Sequence, residues 1–279
     1  MTDPFLIHGP AIISFSGGRT SGYMLWRILQ AHGGTLPPDV IVTFANTGKE
    51  REETLRFVHD CGTHWNVPIV WLEYTGPKTF DIVGFNSAAR NGEPFAALIA
   101  RKKYLPNAVT RFCTIELKIR TIKHYCTSQG WKKWSNVVGL RYDEGHRVMK
   151  AIAGNEAGKE RWQTVMPLSK GKITKADVMA FWSAQLFDLQ LKGYEGNCDM
   201  CFLKGKGTIA ALMRENPAMA DWWIGQEECV GASKPTGARF IKDASYTAMR
   251  ERVRAQVDMF PEPDGEHDAE CGLICGVGE

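Results

Sequence analysis

Two pairs of cysteines are the residues in this sequence whose spacing most directly indicates chemistry. Cys198 and Cys201 form a Cys-x-x-Cys pair, and Cys271 and Cys275 lie close together near the carboxyl terminus. A Cys-x-x-Cys turn directs two thiolates toward one metal, as in zinc and iron–sulfur sites, and it also occurs as a redox pair. The sequence therefore predicts a metal site or a redox-active site that uses these thiols.

The composition indicates the environment in which these thiols work. The chain has 279 residues, eight of them cysteine, and a net charge of +3 from 34 basic and 31 acidic side chains. Its first residues lack the basic segment of a signal peptide, and no apolar run approaches the roughly 20 residues that cross a bilayer. We therefore expect a cytoplasmic protein without a membrane partner, in which isolated Cys61 and Cys126 are small buried apolar side chains. The small net charge leaves only a local basic patch open for nucleic acid.

A glycine-rich loop is the second feature that indicates chemistry. The sequence Ser-Gly-Gly-Arg-Thr-Ser at residues 16–21 follows an apolar run and leads into a helical pattern. Glycines let the backbone approach an anion closely, and the free N–H groups of a helix amino terminus attract phosphate. A tight turn with a serine cap would have the same composition, and the spacing matches neither the Walker motif nor G-x-G-x-x-G. The candidate nucleotide-binding residues of this loop are Ser16, Gly17, Gly18, Arg19, Thr20 and Ser21.

Alternating elements must position this loop. Strand-like apolar runs at residues 11–15, 39–44, 68–72 and 136–140 are interleaved with helical patterns at 20–32 and 53–65. This alternation predicts βαβ units, and hence an α/β fold with a mostly parallel sheet and flanking helices. Ligands bind at the carboxyl ends of the strands in such a sheet, which is where the glycine-rich loop falls.

The pattern changes in the second half of the chain. Residues 151–161 are expected to form a surface loop, whereas Thr174 and Asp177 predict a capping box for a helix that continues to Trp182. Helical patterns follow from about residue 208, one of them with a serine cap at Ser245. We therefore predict an α/β nucleotide-binding domain over residues 1–205 and a helical extension over 206–279 with a mobile, cysteine-containing tail.

Several segments together resemble a known superfamily. The loop after the first strand resembles the PP-loop of adenine nucleotide α-hydrolase-like enzymes, and further segments resemble, in order, the phosphoadenosine and adenosine phosphosulfate reductases. The sequence differs from these reductases in having Phe112 before a single Cys113, and its intact Ser-Gly-Gly-x-x-Ser is closer to the PP-loop enzymes that cleave ATP. The similar segments are Phe-Ala-Asn-Thr-Gly at 44–48, Arg-Phe-Cys-Thr at 111–114, Leu-Lys-Ile-Arg at 117–120, Gly-Leu-Arg at 139–141 with Arg147, the Cys198 and Cys201 pair, and Glu-Cys-Gly-Leu at 270–273.

This resemblance implies further ligand-binding residues. Contacts to the adenine nucleotide are expected from Asn46, Thr47, Gly139 and Arg141. Basic residues in segments that look like loops are expected to converge on phosphate or sulfate oxygens, because arginine donates to such oxygens in pairs. Solvated surface charges are the alternative interpretation of the same residues. The expected phosphate- or sulfate-binding residues are Arg111, Lys118, Arg120 and Arg147.

The resemblance also implies a 4Fe–4S cluster held by Cys113, Cys198 and Cys201. Three thiolates leave one iron of the cluster open. The fourth ligand is then Cys229, a cysteine of the carboxyl-terminal pair, or a non-protein ligand such as the sulfur of a substrate. The alternative is a structural zinc ion held by the two cysteine pairs described above.

The function implied by the resemblance is reduction of a sulfonucleotide, either phosphoadenosine phosphosulfate or adenosine phosphosulfate. Cys271 would attack the sulfo group, and an external thiol, such as a thioredoxin-like protein, would reduce the resulting S-sulfonate. One alternative is an ATP-dependent PP-loop sulfurtransferase that thiolates nucleic acid. The other is a non-catalytic nucleic-acid-binding module stabilised by zinc. A homo-oligomer is compatible with all three functions.

Overall fold

A six-stranded sheet lies at the centre of the structure, a computed structural model that describes residues 3–196 and 198–255. The strands are β1 (Ala11–Ser14), β2 (Val40–Asn46), β3 (Ile69–Gly76), β4 (Thr79–Val83), β5 (Trp134–Val137) and β6 (Trp162–Val165). Their order is β4-β3-β2-β1-β5-β6, and among them β4 alone pairs antiparallel with its neighbour. This topology confirms the predicted α/β class with a mostly parallel sheet.

Helices cover both faces of this sheet. The α-helices are α1 (Arg19–Ala31), α2 (Glu52–His64), α3 (Glu93–Lys102), α4 (Thr121–Ser128), α5 (Gly145–Ala157), α6 (Pro167–Lys170), α7 (Lys175–Ser183), α8 (Lys206–Glu215), α9 (Asp221–Gly231) and α10 (Tyr246–Ala255). Side chains of α1, α2 and α7 pack on one face, and those of α4 pack on the other. No helix within the described residues has the length and apolar character needed to span a membrane.

Apolar patterning explains the central elements. Ala11, Ile12 and Ile13 are fully buried, because a central strand of a parallel sheet is covered on both faces. On α1, Leu25 and Ile28 lie on the helix face that packs against the sheet, as the helical period requires. The strand predicted at 11–15 and the helix predicted at 20–32 are therefore confirmed within one residue at each end.

The surface loop predicted at residues 151–161 is wrong, because α5 continues through most of that segment. Its apolar signal is weak, since Ala151 is the residue of α5 that becomes buried. The helix is instead attached to the open edge of the sheet by Asn155. The Asn155 amide donates to the Thr164 carbonyl (2.9 Å) and accepts from the Thr164 amide (2.7 Å). Tertiary hydrogen bonding thus compensates for the missing apolar face.

The segment between β4 and β5 also differs from expectation. It contains α3, α4 and, between them, a π-helix over Thr114–Arg120. Lys118 and Arg120 therefore lie on a helix and not in a loop-like segment. Short π-helical turns are rare and occur often at functional sites, because the wider turn reorients the side chains that it carries.

The helices after residue 205 share a core with this same segment. Trp223 of α9 and Tyr246 of α10 are fully buried, and they belong to one apolar cluster with Phe95 of α3 and Leu117 of the π-helix. The capping box of α7 and the serine cap of α10 are both confirmed by hydrogen bonds at the helix starts. The carboxyl-terminal helices consequently cover the π-helix.

A substitution at Gly17 should measure how tightly the glycine-rich loop packs on α2. Gly17 has a φ of +81°, and a Cβ atom there would lie 2.7 Å from Thr54 Cγ2. Gly33 has a similar φ of +67°, but no described atom would lie within 4 Å of its Cβ. We expect Gly33→Ala to lower the free energy of unfolding by about 1–2 kcal/mol, the cost of a left-handed backbone. Gly17→Ala should lower it by roughly 1–3 kcal/mol more, because the methyl group overpacks the core.

Urea denaturation of both variants provides the measurement. Equal losses in the two variants would contradict the close packing of this loop on α2.

Candidate functional site

Residues 16–21, here called the nucleotide loop, connect β1 to α1 at the carboxyl end of the strand. The Ser21 hydroxyl accepts from the Ser16 amide (3.2 Å) and from the Ser16 hydroxyl (3.0 Å), and it donates to the Gly18 carbonyl (2.9 Å). Ser16 itself is exposed, and Gly18 is the residue that precedes the first turn of α1. The loop therefore presents a serine hydroxyl and uncapped helix N–H groups together, an arrangement suited to phosphate.

Two side chains of the nucleotide loop make internal contacts. The Arg19 guanidinium pairs with both oxygens of Asp188 (2.7 and 2.5 Å) and donates to the Leu191 carbonyl (2.9 Å). The Thr20 hydroxyl accepts from Nη1 of Arg141 at 3.0 Å. Arg19 thus anchors the loop to residues 188–191, and Arg141 joins the end of β5 to the start of α1.

The loop after β5 contains two of the predicted anion-binding arginines, both paired with carboxylates. Arg141 lies 3.0 Å from Asp143 and also pairs with Glu144, and Arg147 pairs closely with Glu144. Burial raises the pKa of Asp143, but the hydrogen bond from the Lys175 amide and the charge of Arg141 outweigh it, so the pKa lies below its ordinary value. These ion pairs hold the loop after β5 in one conformation before a ligand binds.

Asn46 lies at the end of β2, and both the nitrogen and the oxygen of its side-chain amide form hydrogen bonds within the protein. Its Nδ2 donates to Glu73 (2.6 Å) and to the Ala89 carbonyl (2.9 Å), and its Oδ1 accepts from the Gly48 amide (3.1 Å). Burial raises the pKa of Glu73, although hydrogen bonds from Ala89 and Asn46 act in the opposite direction. Asn46 therefore shapes the chain that follows β2, and its side chain is not presented to a ligand.

Residues 47–51, here called the β2–α2 connection, hold the Cys-x-x-Cys loop. One carboxylate oxygen of Glu50 accepts from the amide and the hydroxyl of Thr47, both at 2.8 Å, and the other lies 3.3 Å from Nζ of Lys118. Glu50 also forms an antiparallel bridge with Cys198. The Thr47 hydroxyl lies 3.6 Å from the Cys198 thiol. The connection thus brings a buried ion pair next to a cysteine.

Asp199, within the Cys-x-x-Cys sequence, strengthens this attachment. Its carboxylate accepts from the indole of Trp223 (2.8 Å) and pairs with Nζ of Lys49 (2.8 Å), while its amide donates to the Lys49 carbonyl (2.8 Å). The Cys-x-x-Cys loop is therefore fixed on one side to the β2–α2 connection and on the other to α9.

Three of the predicted metal ligands come together at this place. Cys113, Cys198 and Cys201 line one small cavity, here called the thiol cavity, whose other walls include Phe95, Trp223 and Lys118. In the described part of the chain, no three His, Cys, Asp or Glu side chains are arranged to hold a metal ion. The fold thus gathers the three thiols around one space without bringing them to metal-binding distance.

Charged groups lie around the thiol cavity and shift the pKa of one of its thiols, Cys198. Burial, and then the charges of Glu50 and Cys201, raise the pKa of Cys198 well above its ordinary value, while Lys118 and Thr47 act against them. Lys204 is almost fully buried and donates to the carbonyls of residues 194 and 196, both at 2.7 Å. Burial lowers the pKa of Lys204 to about 8.

The basic residues predicted to bind phosphate or sulfate include two that the π-helix carries and pairs with carboxylates. Arg120 is half exposed and pairs with Glu116 at 2.9 Å, and Lys118 pairs with Glu50. Arg111 is partly buried two residues before Cys113. Carboxylates thus neutralise most of the basic residues that the sequence singles out.

The remaining cysteines lie elsewhere. Cys229 is exposed on α9 and does not line the thiol cavity, so its proposed role as a fourth ligand is not supported by its position. Cys61 and Cys126 are fully buried, as predicted, and burial raises the pKa of both thiols, that of Cys126 to about 12. The catalytic role of Cys271 lies outside the described residues, as does Cys275.

Sequence reasoning missed three charged residues of this site, namely Lys49, Glu50 and Asp199. Lys49 and Glu50 come directly after the Asn-Thr-Gly motif, and Asp199 lies between the two cysteines of the Cys-x-x-Cys motif. A charged residue inside such a motif could have indicated a buried pair, because isolated charges are seldom buried.

Two curated relatives match most of the chain. A protein of Escherichia phage lambda, named an uncharacterized nin region protein, is 29% identical over 219 residues, which are 75% of this chain and 71% of the relative. A protein of Methanocaldococcus jannaschii, also named as uncharacterized, is 24% identical over 221 residues, and the match spans 78% of this chain but 41% of the relative. No family model matches the chain.

Among solved structures, the U34-tRNA thiolase NcsA from Methanococcus maripaludis, with its 4Fe–4S cluster, overlaps with this protein. The overlap covers 87% of this chain and 80% of the thiolase chain, with 14% sequence identity and a TM-score of 0.42.

The charge of Glu50 should determine how readily Cys198 reacts. Because Glu50 raises the pKa of Cys198, we expect Glu50→Gln to lower that pKa and to increase the rate of alkylation by iodoacetamide at pH 8 severalfold. The glutamine oxygen can still accept from Thr47, although Lys118 loses its counter-charge, so circular dichroism is used to show that the variant is folded. Mass spectrometry of tryptic peptides measures the rate, with exposed Cys229 in the same molecule as the control. An unchanged Cys198 rate would contradict the electrostatic coupling.

Proposed function

We propose that the protein is a PP-loop enzyme that uses ATP to activate a nucleic acid and then replaces one of its oxygen atoms with sulfur. The nucleotide loop supports the first part, because it combines an exposed serine hydroxyl with the amino terminus of α1. The thiol cavity supports the second part, because it gathers thiols beside the β2–α2 connection.

The observation that carries this proposal is the number of cysteines in the thiol cavity. Three thiols line it within the described residues, and Phe112 occupies the place at which the cluster-bearing reductases have a further cysteine. The Phe112 ring is buried, packed edge-on against Tyr104 at 4.8 Å. In a cluster held by three cysteines, one iron has no cysteine ligand and can bind a sulfur ligand from outside the protein. Such an iron is suited to a reaction that transfers sulfur.

The residues present fit a 4Fe–4S cluster in their chemistry. Thiolates are the ligands that such clusters use, and the cavity wall between the thiols is formed by apolar side chains such as Phe95 and Leu117. Cys113, Cys198 and Cys201 would hold the cluster after the cavity widens, since its present space is enough for about one water molecule. When bound, the cluster would hold the hydrosulfide that is transferred, as the ligand of its open iron.

The protein's own residues have separate tasks in this reaction. The nucleotide loop binds the phosphates of ATP, and an oxygen of the nucleic acid attacks the α-phosphorus, so that pyrophosphate leaves and an adenylated acceptor forms. Lys118, paired with Glu50, lies in the wall of the thiol cavity, and Lys204 lies close enough to Cys198 and Cys201 for their charges to act on its pKa. A hydrosulfide ion then attacks the acceptor carbon, so that a carbon–sulfur bond forms, the carbon–oxygen bond to AMP breaks and AMP leaves. Trp223 and Phe95 keep water away from the thiols, since both are buried.

Reduction of a sulfonucleotide is the second candidate function. The sequence Glu-Cys-Gly-Leu at residues 270–273 favours it, because this is the segment that resembles the catalytic signature of the reductases. The two reactions differ in their products. Sulfur transfer releases pyrophosphate from ATP, whereas reduction releases sulfite from the sulfonucleotide and requires an external thiol.

The products therefore provide the first test. Anaerobically purified protein, incubated with ATP and either bulk tRNA or sheared genomic DNA, should release pyrophosphate and incorporate labelled sulfur into one of the two polymers. Sulfite from either sulfonucleotide, without pyrophosphate from ATP, would establish the reductase instead. Stoichiometric zinc without iron or sulfide would support the zinc-stabilised binding module.

The cysteines provide the second test. We expect about four iron and four sulfide per chain after anaerobic purification, as a cubane requires. Cys113→Ser, Cys198→Ser and Cys201→Ser should each lose most of this iron. Cys229→Ser is the matched control, because this cysteine is exposed and lies outside the thiol cavity. Full iron content in all three cavity variants would contradict the ligand assignment.

A serine variant tests the nucleotide loop. Ser16→Ala should weaken ATP binding by about 1.5–3 kcal/mol, the contribution of one hydrogen bond to a charged group. Ser183→Ala is the control, because its hydroxyl is exposed and bonds only within its own helix among described residues. Calorimetric titration with ATP measures both. Unchanged affinity in Ser16→Ala would mean that the loop is only a turn.

A further inference from the structure

A crevice on one face of the sheet has no role in the site described above. Helix α4 packs on β2, β3 and β4, and α5 contacts β6 at the edge. Between these two helices, the face formed by β1, β5 and β6 lies in a narrow crevice, here called the sheet crevice. It is lined by Ser14, Lys123, Trp134, Asn136 and Trp162, together with two isoleucines.

The floor of the sheet crevice is polar, which is unusual for a sheet face beneath helices. The Ser14 hydroxyl donates to Oδ1 of Asn136 at 2.7 Å. In the sheet register Thr43 lies beside Ser14, and Thr164 lies beside Asn136. The buried Thr43 hydroxyl has no hydrogen-bond partner among the described residues. Of this polar row, Ser14 and Asn136 line the crevice, so theirs are the polar groups that a ligand there would meet.

The wall of the sheet crevice is aromatic and carries a cation. The rings of Trp134 and Trp162 stack with centroids 5.6 Å apart and an angle of 30°. Trp134 is buried, whereas Trp162 is partly exposed. Nζ of Lys123 lies 5.3 Å from the centre of the Trp162 ring and 2.9 Å from Glu160. The Lys123 ammonium therefore covers a face of the Trp162 ring, and a flat ligand stacks on that face by displacing this flexible side chain, which keeps a positive charge beside the ligand.

Further basic side chains lie around Lys123. The pKa of His124 is lowered by burial and then by the charges of Lys123, Arg120 and Lys78, so these cations are close together. Of the carboxylates nearby, Glu116 is already paired with Lys102 and Arg120. The combination of stacking rings and a basic border is typical of surfaces that bind single-stranded nucleic acids.

We propose that the sheet crevice binds one unstacked base of a single-stranded nucleic acid, with the base on Trp162 and the adjoining phosphates beside Lys123 and Arg120. The proposal rests on the proposed function for the class of acceptor, and it adds the place and manner of its binding. Among the described residues, Asn136 uses Oδ1 to accept from Ser14, and its Nδ2 would donate to the base. An apolar peptide would leave this polar floor without partners.

Fluorescence anisotropy with labelled oligouridylate and oligothymidylate tests the proposal. We expect Trp162→Ala to weaken binding about tenfold, because base stacking is lost, and Trp162→Phe to retain most of the affinity. Lys123→Gln should make the slope of the logarithm of the association constant against the logarithm of the salt concentration shallower by about one unit, because one phosphate contact is lost. Lys242→Gln is the matched control, because this lysine is exposed on the carboxyl-terminal part of the chain.

A photochemical experiment locates the base independently of affinity. Oligonucleotides that contain 5-iodouracil should crosslink to the peptide that carries Trp162, and this crosslink should disappear in Trp162→Ala. Circular dichroism shows whether each variant is folded. Equal affinity of the parent, Trp162→Ala and Lys123→Gln would overturn the proposal, as would a parent protein that binds neither oligonucleotide.

The same samples separate this proposal from the proposed function. Oligonucleotide binding that depends on Trp162, in protein that releases no pyrophosphate from ATP, would support the sheet crevice and overturn sulfur transfer. Pyrophosphate release that persists in protein without Trp162-dependent binding would support the transfer reaction and overturn the sheet crevice.

Discussion

Burial of charge in the β2–α2 connection is the constraint on which the rest of the site depends. Lys49 and Glu50 are each only 7% exposed, so both require partners from other parts of the chain. Glu50 finds them in Thr47 and Lys118, and Lys49 finds one in Asp199. These pairs fix the distance between β2, the π-helix and the Cys-x-x-Cys loop, because removing one member would leave the other buried without a counter-charge.

The two functional regions are coupled through the same connection. The nucleotide loop packs on α2 at Thr54, a few residues after Glu50, and the thiol cavity begins at Thr47. A change in the position of α2 therefore affects both the loop that would hold phosphate and the thiols that would hold a cluster. Such coupling suits a reaction in which nucleotide cleavage has to precede sulfur transfer.

Electrostatics distinguishes the interior of the site from the sheet crevice. Within the site, Arg19, Lys118 and Arg141 are largely neutralised by carboxylates, so they order loops more than they attract ligands over a distance. Around the crevice, Lys123 pairs with Glu160 and Arg120 pairs with Glu116, but these two basic side chains are more exposed to solvent than those of the site. A net charge of +3 over the whole chain conceals this local difference.

Local patterns in the sequence determined β1, α1 and α2, as well as the position of the nucleotide loop, because apolar periodicity and glycine content act over a few neighbouring residues. They also identified Cys198 and Cys201, to which the resemblance to the reductases added Cys113, and the fold brings these three cysteines to one cavity. Only the tertiary structure decided that α5 attaches to the sheet edge and that a π-helix carries Lys118. It also decided that most of the basic residues predicted to bind phosphate or sulfate are paired with carboxylates. These outcomes depend on contacts between segments far apart in the chain, and a buried charge selects its partner only when both are removed from water together.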